Sequence, residues 1–350
     1  MKSINILRYF IRTKFLYFVW ALAMLFSSCF KEESPIYIVE SKADQDVNTL
    51  AVESPFTIYN YYTYIDLDSV KTIKSVAIAS WDLGFEASPS GYRVIVNSAI
   101  GNEIYPTGQT DFLKNYSNTN VPKWLFDSSN GHPDSTAVGN WVSGTSPGYT
   151  YTGQVYLLGK NNGDGTYVII KKLVFTMLSD TSIVFIAANP ESTVADTITI
   201  KKNPNFQFVY YLFDSPNQTL YIEPPKDQWD IVAGSYRTII YTDDGVPTPY
   251  TVRGVLSNYP YVKAVKVNKP DFYISEPSDT TGLVFSNYKD AIGYDWKEYN
   301  SAESTPYRVV PDVYYYIITK KGNLVKMEFT NYVNANAEFG YPVMATVNFE

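Results

Sequence analysis

One cysteine and one histidine in 350 residues set the limits of this chain's chemistry. A zinc site of the Cys/His kind and a disulfide framework are both excluded. A Cys–His nucleophilic pair fails because Cys29 sits in a leader region. A Ser–His–acid triad would rest on His132 alone, in the loop sequence Gly131-His132-Pro133-Asp134. Glu223 with Asp230, or Asp243 with Asp244, are the carboxylate pairs that glycoside chemistry could use. Such a pair needs a separation of about 5 Å or about 6.5–9.5 Å across a cleft. In a chain with 35 acidic residues most carboxylates are solvated surface. Asn161-Asn162-Gly163-Asp164-Gly165 hints at calcium, but it lacks the spaced acids and closing glutamate of an EF-hand loop and reads as a hairpin turn. Gly-rich phosphate loops are absent. The expectation is a protein that is not an enzyme.

The N-terminus supplies an address. Residues 2–14 carry four cations and 15–26 form an apolar run of 12 residues. That run is short for a bilayer span of about 20 residues and suits a signal peptide. Ser27, Ser28 and Cys29 follow, an arrangement that resembles a bacterial lipoprotein signal, with cleavage after residue 28 and acylation of Cys29. Lys31, Glu32 and Glu33 resemble the surface-export signal of Bacteroidota lipoproteins. Four of the 28 basic residues lie in the leader, which has no acid, so the net charge moves from −7 to −11 on its removal. Such a balance argues against a nucleic-acid partner, which needs a concentrated basic surface.

The elements that would position any site read as strands. Aromatics are abundant, with 32 Tyr, 19 Phe and 6 Trp, and aromatic and β-branched residues favour pleated surfaces. Strand patterns occupy 56–65, 75–85, 92–96, 155–158, 167–170, 173–177, 182–186, 196–200, 206–213 and 219–222, and another opens at Trp229. Gly84 marks a bulge or a close backbone approach. Residues 106–150 form a long irregular region carrying Trp124, Phe126 and Trp141, and such regions are usually functional. Residues 286–299 could hold one short helix. The expected fold is all-β, with antiparallel, sandwich-like sheets, long irregular loops and at most short helices. The expected division is a signal peptide over 1–28, a tether over 29–50, an N-terminal β-rich part over 51–204 and a C-terminal β part over 205–350, which could share one core.

An internal echo joins the two parts. Trp81-Asp82-Leu83-Gly84-Phe85 precedes Tyr92-Arg93-Val94-Ile95-Val96. Trp229-Asp230-Ile231-Val232 precedes Tyr236-Arg237-Thr238-Ile239-Ile240. The first Tyr follows its Trp by eleven positions and the second by seven. A duplicated half-domain is one explanation, and the plain role of each copy is structural.

At the second copy a family resemblance emerges. Residues 210–214, 221–231 and 251–256, then 292–297, 314–318 and 324–329, resemble the HmuY family of Bacteroidota lipoproteins, whose founding members bind haem. The resemblance is best over 205–350. It implies an all-β lipoprotein of the outer membrane or cell surface that captures haem in an apolar pocket and passes it to a membrane transporter. The best-known member grips iron between two histidines, which one histidine cannot do. Methionine and tyrosinate are accepted iron ligands. Met327 and Met344, with Tyr241 and Tyr250 flanking the loop 242–247, are therefore the candidate haem ligands, and Met177 is the third methionine of the mature chain. The alternative is a non-catalytic surface module that binds glycan or protein through exposed aromatics.

Overall fold

Strand-forming residues alternate with turn formers along most of the chain, and in the computed structural model they form antiparallel ladders throughout. The structure describes residues 46–216, 218–300 and 306–349. Cys29, the signal peptide and most of the tether lie outside the described residues. In chain order the first strands are β1 (Asn48–Ala51), β2 (Tyr61–Asp66), β3 (Lys71–Ala77), β4 (Leu83–Glu86), β5 (Val94–Val96) and β6 (Asn102–Pro106). Two short strands follow, β7 (Val142–Ser143) and β8 (Thr150–Tyr151), and then a meander of β9 (Tyr156–Asn161), β10 (Tyr167–Leu178), β11 (Ser182–Ala188) and β12 (Asp196–Lys201). After β13 (Phe208–Tyr211) comes the long hairpin β14 (Ile231–Tyr241) and β15 (Pro247–Ser257). The remainder is β16 (Lys263–Asn268), β17 (Lys297–Tyr299), β18 (Tyr307–Val309), β19 (Val313–Ile318), β20 (Leu324–Val333) and β21 (Phe339–Phe349).

These strands build four main sheets, in the orders β12-β11-β10-β9-β6, β13-β4-β5, β15-β14-β2-β3 and β1-β21-β20-β19-β16. The first two sheets enclose one core, in which Phe85, Trp141, Phe175, Phe185 and Tyr211 meet. The other two enclose a second core, in which Ile65, Ile231, Trp296, Tyr315 and Met327 meet. Period-2 alternation turns the opposite faces of the middle sheets towards smaller aromatic clusters around Trp81 and Tyr210 and around Trp229 and Tyr64. All-β, sandwich-like architecture is therefore the observed class.

Two local readings change. The pattern over 75–85 is not one strand: β3 ends at Ala77, a 3₁₀ turn spans Ile78–Ser80, and β4 starts at Leu83. Residues 286–299 contain no helix; Gly293 has φ +72° and its N–H and C=O both pair with Val255. Gly84 is not a bulge but a close approach, since a Cβ there would lie 2.7 Å from Ile95 and 3.1 Å from the Tyr210 ring. Among the described residues no helix is long and apolar enough to cross a membrane.

Candidate functional site

The two Trp-Asp copies occupy equivalent positions. Asp82 N–H donates to Tyr211 O and Asp230 N–H to Ile65 O, each at 2.8 Å. The Asp82 carboxylate accepts from Phe213 N–H at 2.9 Å, and the Asp230 carboxylate from Leu67 N–H at 2.8 Å. Asn97 Nδ2 donates to Trp81 O, and Asn258 Nδ2 to Trp229 O, both at 2.7 Å. Trp81 meets Tyr210 edge-on with 5.0 Å between ring centroids, and Trp229 meets Tyr64 in the same way. The strands are exchanged: β13 completes the first copy and β2 the second. The Tyr-Arg halves of the echo do not correspond. Arg93 immediately precedes the second strand of its hairpin, β5, whereas Arg237 lies in the extension of β14, the first strand of the other.

Between the copies lies a small cavity of about 140 Å³, the share of about four or five waters. Glu223 Oε1 accepts the N–H groups of Gln207 and Phe208 at 2.7 and 2.8 Å, and Oε2 accepts from Tyr210 Oη at 3.0 Å. Burial pushes this carboxyl up to about 7, against the pull of those donors and of Lys289. Asp127 accepts from Val96 N–H at 2.7 Å and from Ala137 N–H at 2.8 Å, and burial lifts it to about 6. Lys289 is held below its ordinary value by burial, opposed by Glu223 and Asp127. Arg93 is occupied by a bidentate pair with Glu86, both contacts at 3.0 Å.

Behind one wall of this cavity, formed by 128–135 and Arg237, a much larger cleft opens to solvent, with a volume of about 1540 Å³. Ligand pockets are typically about 300–1,000 Å³, so the cleft has room for a large planar molecule. One side is the face of β6 and β10 with segment 117–130. The other is the extended hairpin β14–β15, through Arg237, Ile239, Pro247 and Pro249. Trp124 lies against Gly159, where a Cβ would be 2.4 Å from the indole, and stacks on Tyr167 at 5.0 Å and 17°. Arg237 Nε forms an ion pair with Glu103 Oε1 at 2.7 Å, and the guanidinium sits 5.4 Å from the centre of the Phe126 ring. Burial raises Glu103, with Arg237 opposing. Burial and then Glu103 raise the Tyr167 phenol. The result is a stacked aromatic pair beside a guanidinium paired with Glu103.

The sequence-derived candidates do not converge on this cleft. Met327 and Met344 are fully buried in the second core. Tyr241 and Tyr250 are exposed on the hairpin. Tyr241 pairs with Pro247 and Tyr250 with Thr238, so alternation puts the two phenols on opposite faces. Met177 is exposed at the far end of β10. His132 is exposed, its Nδ1 accepting from Asp134 N–H at 3.3 Å. Glu223 faces the small cavity, whereas Asp230 bonds Lys320, so these two do not form a pair across one cleft. Asp243 and Asp244 occupy an exposed turn closed by Thr242 and Val246. Asn161–Gly165 is the β9–β10 turn, with Gly163 and Gly165 at positive φ.

Asp66, Asp68 and Asp230 form a group with the geometry of a cation site. Its cation is Lys320, whose ammonium reaches them at 2.6, 3.5 and 3.0 Å. Trp124 and Phe126 stood out in the sequence only as aromatics in a long irregular region. Glu103, Asp127, Tyr167 and Lys289 carried no local signal, because each gains its role from partners tens of residues away.

Residues 58–345 match the family described as HmuY protein. Among solved structures the chain is similar to a protein described as HmuY-like and haem-binding from Bacteroides vulgatus, at 13% identity over 87% of this chain and 93% of that one, TM-score 0.23. It is similar to apo PinO from Porphyromonas gingivitis, at 10% identity over 87% and 98%, TM-score 0.25. A third is the apo HmuY analogue of Tannerella forsythia, at 9% identity over 88% and 97%, TM-score 0.22. No curated protein matches the sequence.

Proposed function

The chain belongs to the HmuY family, and on that premise we propose that it is a non-catalytic surface lipoprotein, acylated at Cys29, that captures haem in the cleft between β10 and the β14–β15 hairpin. The outer membrane holds it through the lipid, and a membrane transporter is the receiver of its cargo. The cleft is the observation that carries this reading: its volume, its Trp124–Tyr167 stack and its proline-lined opposite wall suit a large flat ring. Met327, Met344, Tyr241 and Tyr250 remain the ligand set implied by the family resemblance; Met327 and Met344 are closed inside the second core, Tyr250 is on the far face of the hairpin, and Tyr241 shares the face of Ile239, Pro247 and Pro249.

A haemin titration of the purified protein tests the reading. A saturable Soret shift near one equivalent, weakened about tenfold or more by Trp124→Ala, is the expected result. A flat titration removes haem. The polar residues of the lining, among them Asn120, Asn130, Thr238 and Asp290, favour a glycan as the second reading, and glycan-array binding lost in Trp124→Ala would then be the outcome.

A further inference from the structure

Haem proteins usually grip the iron through histidine, methionine or cysteine. Among the described lining residues of the cleft there is none of these. Met327 and Met344 are closed inside the second core. His132 lies on the neighbouring segment, in solvent, with Nδ1 engaged by its own loop. Two tyrosines line the cleft, Tyr167 and Tyr288. A tyrosine must lose its proton to ligate iron, and burial together with Glu103 holds the Tyr167 proton on. Tyr288 is exposed.

What the cleft does offer is addressed to the ring and its edge. Trp124 and Tyr167 present nearly parallel planes, held from behind by Gly159. Ile239, Pro247 and Pro249 close on the other side without polar side chains. Arg237 is neutralised by Glu103, Asp290 accepts from Ser129, Glu191 lies in the same lining, and Lys123 is its exposed cation. Apolar area and the exposed Lys123 ammonium fit a porphyrin face and a propionate at its edge.

Resting on the haem reading above, we propose that the cleft selects a planar tetrapyrrole through its ring and carboxylate edge rather than through its metal. Metal-free protoporphyrin IX is then a ligand in its own right, and bound haemin keeps an open iron coordination position.

The test is parallel titration of the purified protein with haemin and with protoporphyrin IX, followed by competition between them. Dissociation constants within about threefold are expected. Cyanide should bind the iron of the haemin complex without releasing it. The haemin complex should show no phenolate-to-iron charge-transfer band, and Trp124→Ala should weaken both ligands together. Haemin binding tighter than protoporphyrin IX by about thirtyfold or more, or a phenolate-to-iron charge-transfer band in the haemin complex, overturns the proposal while leaving haem capture intact. Failure of both ligands to bind removes haem capture and this proposal with it.

Discussion

Glu223 shows how one residue's position becomes a measurable property. Its carboxyl is raised from 4.5 to about 7, mainly by burial. The folded state therefore binds this proton more tightly than the unfolded chain does. Its stabilising contribution is complete below the unfolded pKa and is lost as pH rises through about 7. A shift of this size corresponds to about 3 kcal/mol. Denaturant midpoints measured from pH 5 to 7 should therefore fall with pH, below the range where Lys297 and Lys202, lowered by burial to about 7 and about 8, oppose the trend, and Glu223→Gln should flatten that slope while keeping the bonds to Gln207 and Phe208. An unchanged slope would place the titration elsewhere, with Asp127 the next group to replace. Lys289 shares the cavity, and its charge opposes the rise of the Glu223 carboxyl. The methionines give a second residue-scale outcome. Met327→Ala should cost about 2–5 kcal/mol of stability, the usual range for a filled core position, and leave the spectrum of bound haemin unchanged. A changed spectrum at unchanged stability would reinstate Met327 as a ligand. The core role of Met327 was legible in the alternation of 326–329. Asp127 was not, because nothing near it in the chain announces the N–H groups of Val96 and Ala137.

At the scale of elements, the two Trp-Asp strands make the same backbone bonds but differ in what completes them. Asp82 takes Phe213 N–H and Asn102 Nδ2, both neutral. Asp230 takes Leu67 N–H and both the N–H and the ammonium of Lys320. Removing a neutral acceptor costs about 1–3 kcal/mol, whereas breaking a buried pair and stranding its partner costs about 3–5 kcal/mol. Asp230→Ala should therefore destabilise more than Asp82→Ala in urea unfolding, and equal losses would refute the role given to Lys320. The strand half of the echo was legible because Trp, Asp and the following aliphatics serve one local geometry. The Tyr-Arg half misled because β14 runs far past the end of its counterpart, and Arg237 lies in that extension. The extension builds the second wall of the cleft, so the difference between the copies makes the candidate site. The helix expected near 286–299 failed for a related reason. Tyr288, Ile292 and Trp296 have helical spacing, but Gly293 adopts a left-handed conformation and its backbone bonds to Val255.

Across the whole molecule, the two cores are not consecutive along the chain. The first draws on residues from Leu83 to Phe213. The second draws on Leu50, Val52, Ile58, Ile65 and Leu67 together with residues from Ile231 to Met344. The sequence suggested a division near 204, where Asn203-Pro204-Asn205 interrupts the strands, but punctuation in a chain does not reveal which sheet the next strand joins. β13 crosses that point to pair with β4, and β2 pairs with β14. A fragment covering 46–204 loses Val209 and Tyr211 from its core, and one covering 205–350 loses five buried aliphatic residues. At about 1.5–3 kcal/mol for each buried side chain, the second loss alone rivals the total stability of a typical domain, about 5–15 kcal/mol. We therefore expect neither fragment to show a cooperative thermal transition alone. A fragment covering 81–213 keeps the whole first core and should show one. It should nonetheless fail to bind haemin, because Arg237, Ile239, Pro247 and Pro249 of the cleft belong to the other unit. Circular dichroism melts of the three fragments, with haemin titration of the third, separate these outcomes. A cooperative melt from 205–350 would show that the C-terminal part is a domain in its own right, and haemin binding by 81–213 would move the site out of the cleft.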